Sequence, residues 1–223
     1  GNGSYALKPV IKVIPTVLNG IEGVVDAALL NSNVMVSAQA NGTVVNSTVP
    51  NTQTGAFFLA RLEPGSYDVV ITADGRATAV IANVPVSSTT GSSLVSTVST
   101  TVAPITLPTS TTRTISGTVT LSPAGSTEVV ASVVTKQTFT AGLTVTVKSQ
   151  AADLLSGAYT ITLPVGAPLL GQYGTGALPI TLTEQPAAAG NYAAEASATG
   201  YQAQSVNVDI SAADATQSFT LVP

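Results

Sequence analysis

The chain has 223 residues, with 7 basic and 11 acidic side chains, a net charge of −4, and neither histidine nor cysteine. This composition excludes histidine-based general bases, thiolate nucleophiles, the usual zinc sites and disulfide bonds. Basic residues form no cluster, which argues against a nucleic-acid partner. The Ala/Val-rich runs are interrupted too often to give the roughly 18–20 apolar residues that span a bilayer, so we expect no membrane-spanning segment.

The first half of the chain, after a lead-in segment at residues 1–15, shows the two-residue alternation of strands with one buried face. Asp68 and Thr72 fall on the polar side of this pattern. The apolar side carries Phe57, Leu59, Tyr67, Val69, Ile71 and Ala73. Val, Ile and Thr are abundant, and such β-branched residues favour strands over helices. Turn residues separate the runs at Asn41-Gly42, Glu63-Pro64-Gly65 and Asp74-Gly75.

A stretch rich in Ser, Thr, Gly and Pro follows at residues 87–112. We expect it to contain the last strand of the first half, at about Ser93–Thr100, and then a linker. The boundary between the two halves is therefore predicted near residue 110.

The second half repeats the first with the order of its motifs preserved. Ile21-Glu22-Gly23 returns as Ile115-Ser116-Gly117, and Gly65-Ser66-Tyr67 returns as Gly190-Asn191-Tyr192. The offset between the copies grows along the chain, as insertions in the second copy would require. The largest insertion, at about residues 164–189, is predicted to be a long loop with an extra strand at about Leu178–Thr183. Long loops in compact domains are often functional.

These patterns predict an all-β protein of two tandem antiparallel β-sandwich domains of the prealbumin-like or immunoglobulin-like Greek-key type. The predicted domains are residues 16–110 and residues 111–223, the second of which carries the insertion.

The first copy resembles a known family in its spacing of glycine, aromatic and aliphatic residues. The pattern comprises Ile21, Gly23, Gly55, Phe57, Leu59, Leu62, Gly65, Tyr67, Ala73 and Gly75. It is similar to the carboxypeptidase regulatory-like domains, which are transthyretin-like sandwiches grouped with starch-binding-like folds. The second copy matches more loosely. The opening Leu7–Val13 resembles the segment that leads into such domains in bacterial surface lipoproteins. The resemblance implies an accessory module, and some relatives of the fold bind carbohydrate.

The carboxylates predict neither catalysis nor a metal site. Glycosidase-like chemistry needs two carboxylates facing each other across a cleft, whereas the acidic residues here are scattered along the chain. Asp209 and Asp214 come nearest to a calcium motif, but they are too few to supply its oxygen ligands. We expect no catalytic residue, no metal and no cofactor, and interpret the acids as solvated surface groups.

The tyrosines are the remaining candidates for ligand binding. Tyr67, Tyr159 and Tyr192 fall on the inward side of their strands and are expected to pack in the core, each with a wet hydroxyl. Tyr173, in the insertion, and Tyr201, after a turn, are left as candidate platforms for a sugar ring.

A second hypothesis makes the chain a spacer or stalk in an adhesin-like or lipoprotein assembly. Surface proteins of that kind sometimes carry a self-formed Lys–Asn or Lys–Asp crosslink promoted by a buried acid. The register argues against a crosslink here: the position expected for the acid is Ala196, and Glu195 lies on the opposite face of its strand.

The leading prediction is a non-enzymatic accessory or binding module of the bacterial cell envelope, outside the cytoplasm, with a glycan or another cell-surface protein as its partner. The alternative is the structural spacer.

Overall fold

The computed structural model describes residues 19–87, 95–124, 129–139 and 142–223, which are almost entirely β-structure. The all-β prediction is therefore confirmed. The predicted lead-in segment, residues 1–15, lies outside the described residues. We call residues 19–110 the first segment and residues 111–223 the second segment.

The first segment forms two facing sheets, with one 3-10 turn at Ala27–Leu29. Its strands are β1 (Gly20–Val24), β2 (Met35–Ala40), β3 (Thr43–Thr48), β4 (Ala56–Ala60), β5 (Gly65–Thr72), β6 (Ala79–Val86) and β7 (Val95–Thr97). One sheet has the order β4-β1-β7, and the other contains the order β6-β5-β2-β3. Most pairs are antiparallel, but β1 and β7 are parallel.

The second segment repeats this arrangement, with a 3-10 turn at Pro186–Ala188. Its strands are β8 (Thr112–Leu121), β9 (Ser132–Thr138), β10 (Thr144–Ala151), β11 (Ala158–Pro164), β12 (Leu169–Gln172), β13 (Thr183–Glu184), β14 (Asn191–Ser197), β15 (Gln204–Asp209), β16 (Ala215–Thr216) and β17 (Phe219–Leu221). The order β11-β8-β16 matches β4-β1-β7, and β10-β9-β14-β15 matches β3-β2-β5-β6. The repeat seen in the sequence is thus a repeat of topology.

Each segment has its own cluster of buried apolar side chains between its sheets. The alternation in the first copy predicts its cluster correctly, since Phe57, Leu59, Tyr67, Val69 and Ile71 are all buried. Ile105 and Leu107 also belong to this cluster. The stretch expected to be a linker therefore packs against the core before the chain enters β8. The division into two domains at residue 110 stays a prediction.

The insertion of the second segment crosses to the first. Strand β12 pairs in parallel with β6, and β13 pairs with β12, so the sheet of the first segment reads β13-β12-β6-β5-β2-β3. We call residues 169–184 the donated hairpin. Its apolar side chains extend the first core, to which it contributes Leu169, Tyr173, Ile180 and Leu182. The prediction of a strand at 178–183 was wrong. The longer strand comes earlier, and its partner is a strand of the other segment.

A tyrosine corner marks where the insertion enters. In the first segment the Tyr67 hydroxyl donates to the Glu63 carbonyl (2.7 Å), four residues upstream. In the second segment Tyr192 donates to the Pro164 carbonyl (2.6 Å), with the whole insertion between donor and acceptor. Tyr159 donates to the Gln217 carbonyl. All three rings are buried, as predicted, and their hydroxyls are satisfied by backbone carbonyls.

Candidate functional site

The two segments are joined by hydrogen bonds at a bulge in β10. The register between β9 and β10 shifts at Thr146, which leaves the backbone of this residue turned toward the first segment. There the fully buried Gln39 side chain donates from Nε2 to the Thr146 carbonyl (2.7 Å). It also accepts the Thr146 N–H at Oε1 (2.8 Å). Thr146 Oγ1 donates to the Gly42 carbonyl (2.7 Å), which fixes β10 on the β2–β3 turn.

An apolar cluster completes this contact. It contains Val70 and Val80 from the first segment with Phe139 and Val145 from the second. Val70 and Val80 lie on the face of β5 and β6 that points away from the first core, the face expected to meet solvent. They are 1% and 0% exposed because the second segment covers them.

Beside this contact lies a cleft of about 1120 Å³ between the segments. Its walls come from β2, β3 and the β5–β6 turn on one side, and from β10, the end of β11 and residues 110–112 on the other. Hydroxyl side chains are the largest group in the lining: they are Ser37, Ser47, Thr72, Thr78, Ser110, Thr111, Thr112, Thr146, Ser149 and Thr162. Met35 and Val44, both substantially exposed, add apolar surface.

The charged groups of the cleft are few and loosely paired. Lys148 Nζ lies 3.7 Å from Asp74 Oδ1, and Asn33 Nδ2 donates to Asp74 Oδ2 (2.7 Å). Both ionic side chains are about half exposed, so the pair adds little to stability. Arg76 donates to the carbonyls of Leu107 and Ala28. Asp74 is the sole carboxylate among the described lining residues.

Thr78 stands out within the cleft. It is 1% exposed, and its Oγ1 has no hydrogen-bond partner among the described residues. Leaving a buried hydroxyl unpaired costs about 1–3 kcal/mol. Because this oxygen is shielded from solvent, a ligand in the cleft would instead meet the exposed hydroxyls of the lining, such as that of Thr162.

The predicted platforms Tyr173 and Tyr201 lie elsewhere. Tyr173 is half-buried against the first core, and its N–H donates to the Ala82 carbonyl (3.0 Å). Tyr201 packs on the second core and donates its hydroxyl to the Pro123 carbonyl (2.8 Å). Each has a structural contact, and neither lines the cleft. Their role in ligand binding stays a prediction.

Asp209 and Asp214 accept hydrogen bonds from backbone N–H groups, and Glu195 pairs with a lysine. Asp209 accepts the Ser211 N–H and Asp214 accepts the Thr114 N–H. Hydrogen bonds from Ser211 lower the pKa of Asp209 below its ordinary value. Glu195 Oε2 lies 2.9 Å from Lys136 Nζ, and this pair is on the strand face opposite the core, as the register of Glu195 predicts.

The fold and the cleft together define an all-β protein with two similar sandwich-like segments and, between them, a cleft lined by many hydroxyl side chains and by apolar surface. No helix among the described residues is long and apolar enough to cross a membrane.

No protein-family model matches the chain, and no curated protein matches it. The resemblance to carboxypeptidase regulatory-like domains therefore stays a prediction.

Several solved structures are distantly similar, among them the three that follow. The type II cohesin–X-dockerin complex from Acetivibrio cellulolyticus is 22% identical, with 41% of this chain and 58% of that chain covered and a TM-score of 0.34. The Bacillus anthracis TIE protein is 12% identical over 93% of this chain and 34% of its own, with a TM-score of 0.27. A Bacteroides ovatus protein proposed to be an adhesin is 10% identical over 92% of this chain and 88% of its own, with a TM-score of 0.26. Similarity at this level does not define a shared function.

Proposed function

We propose that the chain is a non-enzymatic binding module of the bacterial cell envelope and that the cleft between its segments holds the ligand. The observation that carries the proposal is the lining of the cleft, to which ten Ser and Thr side chains of the described residues contribute. Binding sites are concave and carry a few convergent polar groups. The composition supports a non-enzymatic role, because histidine and cysteine are absent.

The finer proposal is that the ligand is a neutral carbohydrate. Ser and Thr hydroxyls both donate and accept, so they match the hydroxyl groups of a sugar. Met35 and Val44 offer apolar contact for the C–H faces of a sugar ring. None of the described residues of the lining carries an aromatic side chain on which a ring could stack. We therefore expect weak binding, with a dissociation constant of about 1 mM per site.

A glycan array followed by calorimetric titration of any hit tests this proposal. Thr162→Val removes an exposed hydroxyl of the lining while keeping the shape, and we expect it to weaken binding about tenfold. Thr160→Val, on the exposed face of β11, makes the same change outside the cleft and serves as the matched control. Loss of binding in Tyr173→Ala or Tyr201→Ala, with Thr162→Val unaffected, would move the site to the tyrosines. A blank array with an intact fold would contradict glycan binding.

The structural spacer is the second candidate, and it is favoured by the coupling between the segments. Three contacts oppose bending between the two segments. They are the pairing of the donated hairpin with β6, the Gln39–Thr146 hydrogen bonds and the apolar cluster that contains Phe139. Small-angle scattering that fits one fixed arrangement, together with a blank array, would support the spacer. A broad distribution of arrangements would contradict it.

A further inference from the structure

The two segments differ in one edge of their equivalent sheets. Strand β6 and strand β15 occupy the same place in the repeat, since β6 follows β5 and β15 follows β14 in matching strand orders. The outer edge of β6 is completed by β12. Within the described residues, β15 pairs with β14 alone, and no strand lies on its other edge.

The core-facing side chains of β6 and β15 differ in their exposure to solvent, as expected when β6 has a strand on its outer edge and β15 has none among the described residues. Ile81 of β6 pairs with Val69, and Val206 of β15 pairs with the equivalent Ala194. Ile81 is 1% exposed, whereas Val206 is 38% exposed. The second core is thus uncovered on the side that the donated hairpin closes in the first.

The backbone groups that point outward from β15 follow from its register. The Ile210 N–H donates to the Gly190 carbonyl, so every second residue before Ile210 also faces β14. Ser205 and Asn207 therefore direct their N–H and C=O groups to the unpaired edge. The residues of β6 that bond β12 occupy the same positions, because Leu169 and Tyr173 donate to the carbonyls of Thr78 and Ala82.

Strand β15 has few of the usual devices that keep an exposed edge from pairing, and its one charged residue is Asp209 at its end. It contains no proline and no lysine, and its six-residue register with β14 has no bulge. By contrast, β6 carries Pro85 and a register shift with β5. A regular, polar edge of this kind can accept another strand.

We propose that β15 is an acceptor edge to which another segment of this architecture adds a hairpin like residues 169–184, in parallel register. The occupied β6 edge is the template: its partners Ala79–Ala82 correspond to Gln204–Asn207. This interaction is separate from ligand binding in the cleft, so either proposal can fail without the other.

We expect a hairpin added to β15 to be held more weakly than the hairpin on β6, because the outer face of the sheet beside β15 is polar. Val70 and Val80, which the second segment covers, correspond to Glu195 and Ser205. Glu195 is already paired with Lys136. The hairpin would therefore bind the edge without an apolar cluster behind it, which makes the association reversible.

The experiment supplies the donor as a second copy of residues 110–223 fused after Pro223. The fusion keeps the natural spacing between segments. In the first segment Ile105 bridges Val25 and lies five residues before Ser110. Phe219 pairs with Val119 in the equivalent way, and in the fusion it lies five residues before the Ser110 of the added copy. Amide hydrogen exchange is measured in the fused and unfused chains. We expect exchange at Asn207 to slow by about tenfold or more in the fusion. An unchanged rate at Asn207 in a fully folded fusion overturns the proposal.

Two variants separate strand addition from a general gain in stability. Ser205→Pro removes an outward N–H without removing a bond to β14, and it should abolish the protection at Asn207. Ser205→Ala keeps the N–H and should retain the protection. Equal protection in both variants overturns the proposal. So does concentration-dependent dimerisation of the unfused chain that Ser205→Pro abolishes, because the hairpin of each chain is already paired with its own β6 and the β15 edge would then bind a different element.

A crosslink tests the register directly, since the chain has no cysteine of its own. Gln172 pairs with Ala82 in the first segment, and Ala82 corresponds to Asn207. We expect Asn207→Cys to form a disulfide with Gln172→Cys in the fused copy. Asp209→Cys, two residues further along β15, is the control and should crosslink far less. Equal yields at the two positions contradict the parallel register.

Discussion

Replacing Phe139 with alanine tests how strongly the two segments are coupled. Phe139 is 1% exposed and packs against Val70 and Val80 of the first segment. Truncating a buried phenylalanine to alanine typically costs about 3–5 kcal/mol. Among the described residues the buried cluster has four members, with the partly buried Leu143, Val147 and Leu170 beside it. These neighbours can partly collapse into the vacated space, so we expect a loss of about 3 kcal/mol in the free energy of unfolding.

The assay is native-state hydrogen exchange at increasing urea, with amides of both segments followed separately. Because Phe139 contacts both segments, Phe139→Ala should lower the protection of slow amides in each. Phe219→Ala is the matched control: Phe219 is 2% exposed and belongs to the second core. It should lower protection mainly in the second segment. A loss below about 1 kcal/mol for Phe139→Ala, or a loss confined to one segment, would refute the coupling.

Two further outcomes follow from buried polar groups. Gln39→Leu removes the side chain that bonds the Thr146 N–H and carbonyl, and it should lower the free energy of unfolding by about 2 kcal/mol. Urea denaturation measures this change. The control Gln53→Leu, at an exposed position, should change the free energy of unfolding by less than about 0.5 kcal/mol. Burial raises the pKa of Tyr159 to about 12 and that of Tyr192 further. The folded state therefore favours neutral tyrosine, and this stabilisation is complete below the ordinary pKa of 10.0 and is lost as the pH rises toward 12 and above. Urea midpoints measured across that range should fall, and a constant midpoint would contradict the burial.

The sequence predicts each core well because alternation is a local signal. Phe57, Leu59 and Tyr67 are assigned to the interior from their spacing alone, and the structure buries all three. The covered outer face was missed, although the signal was present. Three successive apolar residues, Val69-Val70-Ile71, occur in β5, and such a run is typical of a strand buried on both faces.

The cleft and the destination of the insertion could not be predicted in the same way. Thr78 and Thr146 meet the cleft from distant parts of the chain, and Ser and Thr are too common here for any one to stand out. The insertion was identified from the offset between the copies. Its pairing with β6 depends on how the segments sit together, and no local pattern in Leu169–Gln172 specifies a partner strand.

The split tyrosine corner has a consequence for protein engineering. Tyr192 reaches the Pro164 carbonyl although residues 165–189 depart from the corner and return to it. The corner is therefore held by its hydrogen bond and by the two flanking strands, not by a short connection. The matching turn of the first segment, between Glu63 and Gly65, is accordingly a natural position at which to graft a foreign peptide while leaving the surrounding sandwich in place.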